Sequence, residues 1–554
     1  MSRPYRVSGP PRFAHQRAGL RRLIETGGRC ALLMDPGTGK TATTLDYAGL
    51  LALKSPTGEA RVLVVAPLVA VDTWVAQAAT YLSPDLDYWA EAMGGSLLER
   101  AEALASRGGR PYPSPLNNRA PRRRHRAAER ALHHDRALAW GARSSVGQIR
   151  PEHGPNALGT PRLIIQVVNM DTFSQRQPVG SRTMADVMVD AVTRYAPDLI
   201  VVDESHRIKS PSSNVSRLLS RLEKVARRRV ILTGTVMPHS PLDVYGQWRF
   251  LDPFAFGDKT ASGQRRRATF GGFKNRYAKL GGWMGKAIVG YRNLDHMQEV
   301  MAQNAIVVRK ADALDLPPTQ DAEVAVHLSP RETVAYQQMK NDLMTMLEED
   351  GTATSDNRLT QMLRLRQITS GHLPDDEGVK RVLGTSKADT IASLVHDTLI
   401  GEKRIVIFAL FTAEIDLLRE RLEAKGTELL VITGATPVEE RMRMRQRFGS
   451  DDPKRLVMIA QIKTMSLAVN ELVTASHAIF ASMSQQRDDY IQARDRLDRI
   501  GQTRPVTFWH AVAPGTVDEV ILQSHRERTN LEDSMLRHIR GDVQQMTDQT
   551  GEQR

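Results

Sequence analysis

Short apolar runs recur along this chain, each bounded by turn residues or followed by a polar stretch of helical spacing. Ala31–Met34, Val62–Ala66, Leu163–Val168, Leu199–Val202 and Val230–Leu232 predict buried parallel strands. A second series follows at Ile405–Leu410, Leu429–Ile432, Leu456–Ile459, Ala478–Phe480 and Val506–Trp509. Runs that are apolar throughout, rather than alternating, suit strands covered on both faces. Strands alternating with helices therefore predict an α/β fold, and two series predict two tandem lobes with parallel sheets.

The pattern sets expected boundaries. Residues 1–250 are expected to form the first lobe, with a basic insertion at about 107–157, and 385–525 the second. Between them, 251–384 turns helical and rich in glycine and aromatic residues, with a break at Leu316-Pro317-Pro318. That segment is expected to hold helical elaborations and the connection between lobes. A C-terminal helix and polar tail are expected over 526–554.

Composition changes this picture in three places. The chain has 554 residues, 41% of them apolar, enough for more than one core, and a formal net charge of +13 that suits a polyanionic partner. The single cysteine, Cys30, excludes an intrachain disulfide and a thiolate metal cage. No run of about 18 apolar residues occurs, so no membrane span is expected. The start, MSRPYRVSGPPRF, lacks the apolar stretch of a secretory signal, which points to a cytoplasmic protein. From Arg107 to Arg150, eleven arginines stand against Glu129 and Asp135. Such a segment fits either a solvated insertion or an arm that grips phosphates.

Candidate chemistry sits at strand ends. After the first strand comes Asp35-Pro36-Gly37-Thr38-Gly39-Lys40-Thr41. Glycines let backbone N–H groups curl around a polyphosphate at a helix N-terminus, with Lys40 on the β- and γ-phosphates of ATP and the Thr41 hydroxyl on Mg²⁺. The strict pattern wants glycine where Met34 stands. Leu199–Val202 ends in Asp203-Glu204, where Asp203 could hold Mg²⁺ and Glu204 could orient or deprotonate the attacking water. Far downstream, Gln492, Arg496 and Arg499 would share one face if the segment is helical. Two arginines there could stabilise charge on a γ-phosphate.

These motifs, in order over nearly the whole chain, resemble the Swi/Snf type of superfamily-two DNA-dependent ATPases, in a D-E-S-H variant. Gln16, in Ala14–Gly19, looks like the adenine-reading glutamine. The phosphate loop resembles D-E-M-G-L-G-K-T, giving Gly37, Thr38, Gly39, Lys40 and Thr41 as implied ATP contacts. Ala66-Pro67 through Trp74 resembles the element that ends in tryptophan, and Asp203–Lys209 resembles D-E-A-H-R-I-K. Leu232-Thr233-Gly234-Thr235 is similar to the motif coupling hydrolysis to lobe movement. Ser386-Lys387, Ile405–Phe411, Gly434, Arg441 and Phe448 match the second lobe, Gln492–Gln502 resembles Q-A-x-D-R-x-H-R-I-G-Q, and Gly515–Glu519 resembles the closing T-x-E-E helix. The resemblance makes Arg496 and Arg499 arginine fingers, and Trp74, Thr233, Thr235, Lys463, Asn470 and Gln492 nucleic-acid or coupling residues.

Departures exist. Val236 replaces a proline and His239 an asparagine, both mild changes. Within Lys463–Asn470, Met465, Ser466 and Ala468 replace glycines that allow close approach to nucleic acid. The expected function is an ATP-driven, monomeric translocase on double-stranded or branched DNA, of bacterial or bacteriophage type, that remodels DNA or displaces bound protein in replication, recombination or repair. A strand-separating DNA or RNA helicase and a non-hydrolysing DNA-binding scaffold are the alternatives.

Overall fold

A computed structural model of the chain describes residues 8–83, 86–106, 146–147, 162–174, 178–179, 182–281, 287–348, 355–375, 379–466 and 471–527. The arginine-rich segment 107–150, apart from 146–147, lies outside the described residues, as do Ala468, Asn470 and the tail from 528. The chain divides into two compact units, the first running to Ala313 and the second beginning at Leu314, three residues before the Pro317-Pro318 break.

The first unit contains β1 (Arg29–Met34), β2 (Glu59–Ala66), β3 (Asp87–Ala92), β4 (Val146–Gly147), β5 (Arg162–Asn169), a short pair β6 (Pro178–Val179) and β7 (Arg182–Thr183), β8 (Leu199–Asp203), β9 (Arg228–Thr233), a second pair β10 (Ala278–Gly281) and β11 (Ala287–Tyr291), and β12 (Ala305–Val308). Eight of them form one sheet in the order β12-β1-β9-β8-β2-β5-β3-β4, parallel except for β4. Successive side chains on a strand point to opposite faces. Leu32, Met34, Val62, Val64, Ala66, Leu199 and Val201 accordingly share a core with α1 (Ala14–Glu25), α2 (Lys40–Lys54) and α3 (Leu68–Tyr81), through Leu23, Leu45, Ala48, Val71, Trp74 and Val75. The intervening Ala31, Leu33, Leu63, Ile200 and Val202 are buried as well, so the sheet is covered on its other face too.

The second unit contains β13 (Thr319–Ala325), a pair β14 (His372–Pro374) and β15 (Lys380–Val382), β16 (Arg404–Ala409), β17 (Glu428–Ile432), β18 (Leu456–Gln461), β19 (His477–Phe480) and β20 (Val506–Val512). Six form a parallel sheet in the order β13-β20-β19-β16-β18-β17. Val406, Phe408, Met458 and Phe480 pack into one core, and Ile405, Ile407, Ile459 and Ile479 into another on the opposite face. The α/β class and its two parallel sheets are thus those the apolar runs predict. The segment 251–384 has helices at Phe270–Tyr277, Leu294–Ala302, Pro330–Glu348 and Ser355–Thr369. It also carries the edge strand of each sheet, β12 and β13.

Each unit buries an ion pair. Arg12 donates from Nε to Asp46 Oδ2 at 2.7 Å beside α1 and α2, and Lys387 Nζ meets Asp518 Oδ2 at 2.7 Å in the second unit. Removing one partner of such a pair leaves an uncompensated buried charge.

Candidate nucleotide site

The phosphate loop connects β1 to α2. Gly37 and Gly39 take φ of +84° and +90°, a region open to glycine and strained for other residues. Gly39 is doubly constrained, since a Cβ there would lie 2.0 Å from Gln16 Nε2. Lys40 begins α2, and its ammonium donates to the Met34 carbonyl at 2.7 Å. Met34 thus enters the site through its backbone. Asp35, one residue on, is held by Arg309 Nη1 and the Lys310 N–H, both at 3.0 Å.

Threonines along the loop behave differently. Thr38 Oγ1 donates to the Asp35 carbonyl, and Thr43 and Thr44 donate back to Gly39 and Lys40 carbonyls. Among the described residues the half-buried Thr41 hydroxyl makes no such bond, so it is available to a ligand. Gln16 and His15 lie on α1. Gln16 Nε2 and His15 Nε2 both donate to the Thr38 carbonyl, at 3.1 and 2.8 Å, and Gln16 Oε1 accepts from the Phe13 N–H. A carbonyl can only accept, so His15 carries its proton on Nε2, and burial lowers its pKa.

Strand order places the next group. β9 lies between β1 and β8, so the phosphate loop, Thr233 and the Asp203-Glu204 pair leave three neighbouring parallel strands at their C-terminal ends. That edge is where parallel sheets bind ligands. Trp74 Nε1 donates to Asp203 Oδ2 at 2.9 Å, and the Glu204 N–H donates to Oδ1 at 2.9 Å. Glu204 adopts φ 48° and ψ 54°, a left-handed conformation costing about 1–3 kcal/mol in a non-glycine residue. It turns the chain off β8 into a short turn, Ser205–Ile208.

That turn is braced from behind by the helix Val244–Leu251. Ser205 Oγ donates to Gln247 Oε1 at 2.8 Å, and Gln247 Nε2 donates to the Val236 and Asp243 carbonyls. The helix approaches so closely that a Cβ on Gly246 would lie 2.2 Å from the Ile208 carbonyl oxygen. His206 Nδ1 lies 3.3 Å from Glu204 Oε2 and 3.2 Å from Thr233 Oγ1. Thr233 Oγ1 donates to the Thr235 carbonyl and accepts from the Thr235 N–H, so its bond with His206 is one it accepts, and Nδ1 carries a proton. A continuous network therefore runs from Glu204 through His206 to Thr233 and Thr235.

Electrostatics divide the two carboxylates. Burial, then the charge of Glu204, pushes Asp203 above the usual carboxylate range, against the pull of Trp74 and Lys40. Burial opposes charge on Glu204 too, but the hydrogen bond and charge of His206, with Lys40 and Arg207, hold it below that range. Glu204 is the stronger acid of the two. Magnesium characteristically takes one or two carboxylates together with phosphate oxygens and water. A buried acid beside a lysine, and a threonine hydroxyl available to a ligand, fit such an ion.

Trp74, expected among the nucleic-acid or coupling residues, is 2% exposed and bonded to Asp203, so its contact is with the nucleotide site. The arginine segment departs further. Its helix spans Arg487–Arg494 and stops, and Arg496 and Arg499 follow on turns, with the Arg496 N–H bonded to Ala493 and the Arg499 N–H to Leu497. Gln492 is in the helix and the two arginines are not, so the expected single helical face does not form. Gly501, at φ 103°, and buried Gln502, which donates to the Ala475 and Leu497 carbonyls, hold the chain in this path. The neighbouring Arg494 lies 4.0 Å over Phe508 and pairs with Asp321. Lys463 is exposed on the turn Ile462–Ser466. Gln247, Gly246, His15 and Arg309 are not apparent from sequence, because each acts through a tertiary approach that no local pattern records.

A phosphate loop, an acid pair and a bonded threonine motif on adjacent parallel strands define a nucleotide-binding α/β unit. The sequence profile of the SNF2-related domain matches residues 15–372, and that of the helicase conserved C-terminal domain matches 386–501. The chain belongs to the SNF2-related family. It is 24% identical to an uncharacterized ATP-dependent helicase of Mycoplasma genitalium, over 60% of this chain and 30% of that one. It is 25% identical to the DNA annealing helicase and endonuclease ZRANB3 of Bos taurus, over 61% and 30%. It is 22% identical to the human SWI/SNF-related matrix-associated actin-dependent regulator of chromatin subfamily A member 1, over 62% and 32%. The matched region thus spans about a third of these relatives. The SWI2/SNF2 ATPase core of Sulfolobus solfataricus in complex with double-stranded DNA aligns over 94% of this chain and 92% of its own, at 19% identity. Its TM-score of 0.36 is too low to transfer structural detail. No helix among the described residues is long and apolar enough to cross a membrane.

Proposed function

We propose that the chain is a nucleic-acid-dependent ATPase that converts hydrolysis into movement along double-stranded or branched DNA. The observation that carries this reading is the hydrogen-bonded path from Glu204 through His206 to Thr233 and Thr235, on strands next to the phosphate loop. Such a path lets the hydrolytic carboxylate and a loop outside the site change together. Net charge of +13 and relatives named as a DNA annealing helicase and a regulator of chromatin support DNA as the track.

In this reading the Gly37–Gly39 backbone and Lys40 bind the phosphates, and Gln16 contacts the base. Thr41 and Asp203 would hold Mg²⁺, which supplies charge neutralisation on the transferred phosphoryl group. Glu204, kept ionised by His206, orients the attacking water and accepts its proton. Arg496 and Arg499 stabilise charge on the γ-phosphate during turnover. Lys463 and Gln492 serve nucleic-acid contact or coupling, and Thr233 and Thr235 couple hydrolysis to movement. The protein acts as a monomer in the cytoplasm.

Steady-state ATPase assays without nucleic acid, and with single strands, linear duplex, forked DNA and RNA, test this. Stimulation by duplex or fork is expected. Stimulation by single strands or RNA alone would replace the translocase with a strand-separating helicase, and no turnover on any of them would leave a binding scaffold.

A further inference from the structure

Between Asp258 and Arg292 the sequence holds nine lysines and arginines against Asp258 alone. Among the described residues, Arg276 pairs with Asp258, Arg267 with Glu223, and Arg292 donates to a backbone carbonyl. Lys259, Arg265, Arg266, Lys279 and Arg292 are exposed.

The surroundings are built. Tyr245, Phe256, Phe273 and Tyr277 pack edge-on or tilted, with centroids 4.6 to 5.9 Å apart. The loop 258–266 is closed by the Thr260 N–H to the Gln264 carbonyl, the Arg266 N–H to the Asp258 carbonyl and a bridge between Lys259 and Arg265. Asp258 ties that loop, through Arg276, to the helix Phe270–Tyr277. The next elements, β10 and β11, open a recess lined by Asn275, Ala278, Lys279, Leu280 and Arg292. Arg292 closes it by donating to the Asn275 carbonyl. Lysine, arginine and asparagine side chains lining one recess, with no carboxylate among them, supply hydrogen-bond donors for an anionic oxygen.

We infer that this module of the first unit, residues 253–281 and 287–292, docks on the phosphate backbone of duplex DNA, with Lys279, Arg292 and Asn275 seating one phosphate and Arg265 and Arg266 reaching others. The inference rests on the DNA reading above and adds to it a contact surface separate from the nucleotide site. A folded array of exposed cations that meets phosphates alone reads no base, as a motor moving over any sequence requires.

The test is equilibrium binding of a fluorescent duplex over a salt series, with the duplex concentration giving half-maximal ATPase measured in parallel. The full-length R265E/R266E/K279E variant is compared with a charge-conserving R265K/R266K/K279R variant, and both are checked for unchanged thermal melting. The reversal variant is expected to bind at least about tenfold more weakly, with a salt dependence flatter by about one for each phosphate it no longer neutralises. The charge-conserving variant is expected to bind as the natural chain does. Unchanged affinity and slope in the reversal variant, while the natural chain is still stimulated by duplex, overturn the docking surface and leave the motor standing. Equal loss in both variants also overturns it. A natural chain that neither binds duplex nor responds to it brings down the DNA reading itself.

Discussion

The phosphate loop and the arginine segment are both dense in candidate functional residues, but they are built in different ways. Around Lys40, the pocket is braced by groups from distant parts of the first unit: Gln16 and His15 from α1, Arg309 from after β12, Trp74 from α3 and Gln247 behind the Ser205–Ile208 turn. Around Arg499, the chain leaves its helix at Arg494 and runs through turns, so both candidate fingers stand on irregular backbone. Burial lowers the pKa of Arg499, with Asp495 and Glu471 opposing, so its guanidinium is partly desolvated. One region is a preorganised binding pocket. The other presents charge from irregular backbone.

The sharpest test of this contrast starts with the residue nothing can replace. Lys40→Ala is expected to reduce ATP turnover to background while leaving melting unchanged and duplex binding intact. Turnover that persists under duplex stimulation would remove the phosphate loop from its role.

Next come Arg496→Ala and Arg499→Ala, each expected to lower kcat by about a thousandfold with nucleotide binding retained. Lysine should not rescue either, because the planar fork of arginine is what matches phosphoryl oxygens. A loss confined to KM, or full rescue by lysine, would assign these arginines to ground-state binding.

Glu204→Gln should lower kcat by about a hundredfold or more while ATP still binds. The amide keeps the size of the side chain, so the strained turn at Glu204 is retained. Near-normal turnover would make the acid pair structural, and the opposite pKa shifts of Asp203 and Glu204 would then need another purpose.

How far each region can be read from sequence follows from the same contrast. Parallel strands announce themselves as apolar runs because both faces are covered, and the phosphate loop announces itself because its glycines answer a backbone demand at Gly37 and Gly39. The arginine segment defeats its own spacing for a physical reason. Gln492, Arg496 and Arg499 have helical spacing, but the helix stops at Arg494, and Gln502, bonded to the Ala475 and Leu497 carbonyls, and Gly501, at φ 103°, hold the chain off its axis. Spacing records only local preference, and a tertiary hydrogen bond overrides it. Trp74 shows the complement. Its position in the motif order is legible, while its bond to Asp203 requires α3 to be packed against the sheet.

The smallest expected effect tests the most crowded contact in the site. Gln16 is expected to contact adenine, yet both ends of its amide are engaged, Nε2 with the Thr38 carbonyl and Oε1 with the Phe13 N–H. A base contact would use the remaining donor hydrogen and acceptor lone pair of that same amide. If base contact dominates, Gln16→Ala should raise KM for ATP severalfold and leave KM for GTP unchanged, erasing discrimination between them. If loop support dominates, both constants should rise together, because Thr38 would lose one of its two tethers while His15 keeps the other. Measuring kcat/KM for both nucleotides separates these outcomes. The first would place nucleotide choice on α1, and the second would show that the preorganisation of the pocket reaches back to the residue expected to read the base.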